Sequence, residues 1–162
     1  MVQSTGAEGG EYTTKIQIKT SDNEVVETTM NLVGMCGVLK DAFEGTEHEE
    51  EHDEIKLDGV DKKNLDRIIE YCTHHKFSKK ETDLKVPLEP AENYDFLPDT
   101  WERTFAEGID VMEFIPLMEA ANKVNCPALL EMMAACVASR FKNLSHEKCE
   151  ILWNLKKKEG EE

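Results

Sequence analysis

The stretch ALLEMMAACVASRF, Ala128–Phe141, carries more apolar side chain than an isolated helix can hide. Leu130, Met133, Val137 and Phe141 step by three or four residues, so they line one helical face. Leu129, Met132 and Cys136 add a second apolar row beside it, and the helix is apolar over more than half its girth. Pro127 falls in its first turn, where a missing backbone donor costs nothing. The next helix opens at Ser145 and places Cys149, Leu152 and Trp153 on one side. Periodicity alone leaves two readings: a helix central to its own domain, or a helix whose surplus face is buried by a partner. Such an apolar segment in so acidic a chain favours the partner.

The whole composition narrows the alternatives. The chain has 162 residues, one domain's length or a domain plus an appendage, and an apolar fraction of 40% that suffices for a core. Nineteen basic against 34 acidic residues give a net charge of −15, which argues against nucleic acid as a partner and against an anionic membrane surface. No run approaches the roughly 20 apolar residues of a spanning helix. Residues 1–11 lack the apolar centre of a signal peptide and read as a flexible leader. The five cysteines follow no disulfide framework and are expected to be reduced, buried small hydrophobes in a cytoplasmic and nuclear protein.

Outward from the helical third, the N-terminal part reads as strands. Ile16 and Ile18 alternate with Lys15, Gln17 and Lys19, Ser21-Asp22-Asn23 supplies turn chemistry, and Val25, Val26 and Thr28 return as a second strand. Asn31 to Phe43 has helical spacing, but Gly34 and Gly37 weaken it by about 1 kcal/mol each, so a short helix from near Cys36 is expected. Residues 44–54 hold seven acidic residues and no lysine or arginine, the composition of a solvated loop. Ile55-Lys56-Leu57 reads as a short strand closed by Asp58-Gly59. Asp61 then caps a helix with apolar positions Leu65, Ile68, Ile69 and Cys72.

That helix ends in Cys72-Thr73-His74-His75-Lys76. Zinc is not expected there, because Cys72 faces the core, the adjacent histidines point apart, and no second cluster stands at ligand spacing. Residues 77–99, with three prolines, read as a mobile surface linker. Beyond it, Trp101 and Phe105 are packing anchors, Asp110 and Glu113 form a capping pair, and Pro116 should kink the helix reaching Val124. No nucleophile–base pair or phosphate loop appears, so neither an enzyme nor a cofactor is expected.

Ile16-Gln17-Ile18-Lys19-Thr20-Ser21-Asp22, Ile69-Glu70-Tyr71-Cys72-Thr73-His74-His75-Lys76, Glu119-Ala120-Ala121-Asn122 and Trp153-Asn154-Leu155 occur in that order. With the acidic loop they resemble the S-phase kinase-associated adaptor family, whose members join F-box proteins to the cullin scaffold of SCF ubiquitin ligases. The resemblance runs from Tyr12 to Leu155, and the Cys-Thr-His-His-Lys string is its most specific part. It implies an α+β chain with a BTB/POZ fold, a small sheet flanked by helices, followed by C-terminal F-box-binding helices. The implied layout is a leader at 1–11, a BTB/POZ domain at 12–125 with its acidic loop and linker, an F-box-binding extension at 126–155 and a disordered tail at 156–162.

The resemblance implies F-box contacts at Leu130, Val137, Phe141, Cys149 and Trp153, and the same apolar faces add Met133 and Leu152. It implies a cullin contact at Asn122 and Lys123. Several positions depart from the family pattern. Lys123 replaces an aromatic, Arg140 an apolar residue, Pro116 interrupts the helix bearing Asn122, and Gly34 and Gly37 loosen the first helix. The seven residues after Leu155 are Lys, Glu or Gly where a further helix is implied. The expected function is therefore an SCF adaptor in ubiquitin-dependent degradation. The alternative is a scaffold of the same fold that self-associates, or binds F-box-like helices without cullin.

Overall fold

The computed structural model describes residues 15–44, 54–78, 84, 94–142 and 144–151. Strand β1, Lys15–Lys19, buries Ile16 and Ile18 and leaves the lysines outward, as the two-residue alternation requires. It pairs antiparallel with β2, Val25–Thr29, in a register that sets Ile16 against Thr28 and Ile18 against Val26. The connecting turn is closed by the Thr20 amide donating to the Glu24 carbonyl at 2.9 Å, with Asn23 at φ 63°. β3, Glu54–Lys56, joins the other edge of β1 in parallel and gives the order β2-β1-β3.

After β2 the chain makes a 3-10 turn, Met30–Gly34, and then helix α1, Gly37–Glu44. The two glycines stand where this region meets its neighbours. They let it come close to its neighbours: a Cβ at Gly34 would stand 2.6 Å from the Phe77 carbonyl oxygen, and one at Gly37 would stand 2.4 Å from the Asn125 amide nitrogen. Helix α2, Lys62–His74, starts where expected, with the Asp61 carboxylate accepting the Asn64 amide at 2.8 Å. The Asp22 carboxylate also receives the Lys62 amide, which ties the hairpin turn to this helix start.

Three short helices follow: α3, Thr100–Glu107; α4, Val111–Lys123; and α5, Pro127–Lys142. Helix α4 continues through Pro116, which has no amide for the Met112 carbonyl one turn back. Glu113 does not complete a capping box. It reaches across to α2, where it pairs with Lys63 and with Arg67 at 2.6 Å, while Asp110 alone caps the Met112 amide at 2.8 Å. Residues 94–99 are not a free linker, since Tyr94 and Leu97 are buried in the core. One apolar core runs from Ile16 in the sheet to Cys136 in α5, so the helical third and the sheet are packed together. The leader, most of the acidic loop, residues 79–93 apart from Leu84, and Leu152 onward lie outside the described residues. Among the described residues, no helix is long and apolar enough to cross a membrane.

Candidate partner-binding surface

Helix α5 packs along α4 and sorts its apolar residues onto two sides. Leu129, Met132, Met133 and Cys136 are fully buried. Met133 is thus a core residue, not part of an outward face. It follows Met132 inward because a stripe about 100° wide takes up adjacent positions on a helix. The outward side carries half-buried Leu130, Val137 and Phe141, with exposed Ala134 and Ala138 between them. These five positions keep helical spacing. As small side chains the two alanines give little apolar signal in the sequence, although the i, i+4, i+8 series from Leu130 includes both.

The apolar surface continues past the end of α5. The Leu144 amide turns back onto the Phe141 carbonyl at 3.1 Å, and residues 146–151 are helical after Ser145. Cys149 is half-buried with its Sγ 3.9 Å from the Phe141 carbonyl oxygen, and Ile151 is 59% exposed. Leu152 and Trp153 lie outside the described residues.

Arg140 does not stand free beside this surface. Its Nε donates to the Tyr94 hydroxyl at 2.8 Å, and its guanidinium carbon lies 5.0 Å from the centre of that ring. Burial holds the Tyr94 phenol above its ordinary range despite that bond. Asn122 and Lys123 are both exposed at the C-terminal end of α4. The Lys123 ammonium donates to the Gly59 carbonyl at 3.1 Å, over the turn that leads into α2.

The Cys-Thr-His-His-Lys string is divided by the fold. His74 and His75 do not point apart. Their ring centres are 4.8 Å apart, and both meet the start of α3. His74 stacks on Trp101 at 3.9 Å and bonds Asp99 at 3.1 Å. His75 reaches Glu102 at 3.0 Å, and the Tyr71 hydroxyl donates to the same carboxylate at 3.0 Å. Burial raises the Asp99 carboxyl, but the His74 bond and the Trp101 amide outweigh it and leave the group below its usual range.

Cys72 turns the other way, into the core, where its Sγ meets those of Cys36 and Cys126, all within 4.8 Å of one another. Hydrogen bonds from Cys36 and then Cys72, helped by the Leu129 amide, pull the Cys126 thiol below the ordinary range. The same contact with Cys126 pushes Cys36 and Cys72 up. Nothing in the spacing of positions 36, 72 and 126 announces this meeting. Only the tertiary fold makes it.

With the fold and these surfaces in place, residues 14–77 match the family model described as "Skp1 family, tetramerisation domain". Over these residues the chain is similar to the POZ domain of the Skp1 family. The Skp1-family likeness extends well past that segment in curated relatives. The chain is 26% identical over 142 residues to the S-phase kinase-associated protein 1 homolog of Tetrahymena thermophila, covering 88% of this chain and 82% of that protein. It is 26% identical over 145 residues to SKP1-like protein 14 of Arabidopsis thaliana, covering 87% and 83%. It is likewise 26% identical over 136 residues to the E3 ubiquitin ligase complex SCF subunit sconC of Arthroderma otae, covering 84% and 75%. The Skp1-family match includes all three strands and α2, and the relatives' alignments reach far enough to include helices beyond it.

Proposed function

We propose that the chain is a non-enzymatic adaptor of an SCF-type ubiquitin ligase, which binds an F-box protein and joins it to a cullin. One observation carries the reading: the outward stripe Leu130–Ala134–Val137–Ala138–Phe141, continued at Cys149 and Ile151, in a chain aligned along most of its length with Skp1-like proteins. An amphipathic partner helix laid on such a stripe would anchor through side chains spaced three and four apart. Asn122 and Lys123, at the exposed end of α4, are the cullin contacts of this reading. The chain makes no bond itself. It holds a substrate receptor at a fixed distance from a ubiquitin-charged enzyme and raises the effective concentration of target lysines. The working compartments of this reading are the cytoplasm and nucleus.

Val137→Asp tests the stripe, because a carboxylate there must be desolvated under any partner helix. The expected result is loss of F-box binding in a pull-down, with the far-ultraviolet circular dichroism of the wild type retained. Normal binding by a folded Val137→Asp protein would remove α5 from the interface. A second reading, self-association, draws on the description of the matched domain as a tetramerisation domain, and on a sheet in which, among the described residues, β2 and β3 are both edges.

A further inference from the structure

Three of the four fully buried cysteines converge at one point. Cys36 lies between the 3-10 turn and α1, Cys72 in the last turn of α2, and Cys126 immediately before α5. They sit on segments tied to each other. The amides of Gly37 and Val38 donate to the carbonyls of Asn125 and Val124 at 2.9 and 3.2 Å, which fixes Cys36 against the segment leading to Cys126. The Phe77 amide closes on the Cys72 carbonyl at 2.9 Å, and Phe77 in turn is the residue that Gly34 approaches. Both glycines flanking Cys36 therefore face the segments that bring the other two thiols.

We propose that Cys36, Cys72 and Cys126 bind one thiophilic d10 metal ion through sulfur alone. Soft thiolate sets select Cu(I) and Zn(II). At a metal–sulfur distance near 2.3 Å, a planar trigonal set has sulfurs about 4 Å apart. The observed separations, within 4.8 Å, need less than about 1 Å of closure to reach it. On binding, the thiol protons leave to solvent, each sulfur donates a lone pair, and no oxidation state changes. The Leu129 amide at the Cys126 sulfur, in the first turn of α5, offsets part of the negative charge that remains. Zinc is almost always four-coordinate in structural sites, and among the described residues no fourth ligand joins this set, so Cu(I) is the favoured ion.

The test uses the full-length reduced chain under anaerobic conditions. Cu(I) is titrated in competition with a chromophoric Cu(I) chelator, and Zn(II) in parallel with a zinc chromophore. One equivalent of either ion should be retained and should raise the melting temperature. Cys36→Ala, Cys72→Ala and Cys126→Ala should each lose that equivalent, whereas Cys149→Ala and His74→Ala should keep it. X-ray absorption of the loaded wild-type protein needs no variant to fold, and should find three sulfur neighbours near 2.3 Å. Failure to retain an equivalent, retention by the triple alanine variant, loss in Cys149→Ala or His74→Ala, or nitrogen and oxygen neighbours would each overturn the proposal.

Discussion

At Gly34 an added methyl would meet a backbone carbonyl oxygen at 2.6 Å, and a peptide cannot swing aside as a side chain can. Gly34→Ala should therefore cost about 2 kcal/mol, the usual range for overpacking, in urea unfolding. Equal or raised stability would contradict the close approach. Gly37→Ala meets the end of the Asn125 side chain instead, so its cost should be smaller. Neither glycine could be read correctly from the sequence. Local propensity ranks both as helix weakeners, and the reason for them lies some 40 to 90 residues further along the chain, at Phe77 and Asn125. Asp61 and Asn23 were legible for the opposite reason. A cap and a turn are satisfied by neighbours a few residues away, so the local string contains the whole cause.

At the scale of elements, the periodicity of α5 located the helix but not its buried side. A wide apolar helix offers two adjacent rows, and only packing against α4 decides that Met133 goes inward while Leu130 and Val137 stay at the surface. Met133→Ala should accordingly cost about 2–5 kcal/mol of fold stability, as deletion of a buried side chain does. A loss under about 0.5 kcal/mol would return Met133 to the surface. The α2–α4 contact supplies a pH-dependent term. Lys63, then Arg67, hold the Glu113 carboxyl below its usual range. A depressed folded-state pKa stabilises the fold above the unfolded-state value and loses that contribution as pH falls through the folded-state value. Thermal melts of Glu113→Gln should thus start lower than wild type at neutral pH, and the two should converge on acidification below the ordinary carboxylate range. A constant gap across that range would remove Glu113 from the cross-link's electrostatics.

Over the whole molecule, the strands and helix α2 were readable because their patterns are short-ranged. The order β2-β1-β3, the burial of Tyr94 and Leu97 in what reads as a linker, and the meeting of three cysteines depend on distant contacts and were not. The same holds for Arg140, which looks like a charge set beside the partner surface until Tyr94 is brought to it. The outward stripe of α5, whose Leu130 and Val137 are half-buried against the chain's own core, is the feature on which the adaptor proposal rests. Co-expression with an F-box segment, followed by size-exclusion chromatography with light scattering in the presence and absence of a cullin N-terminal domain, addresses that directly. The adaptor account expects a one-to-one complex with the F-box segment that takes up one cullin domain. A homo-oligomer indifferent to both additions would contradict it and leave self-association as the function of the fold.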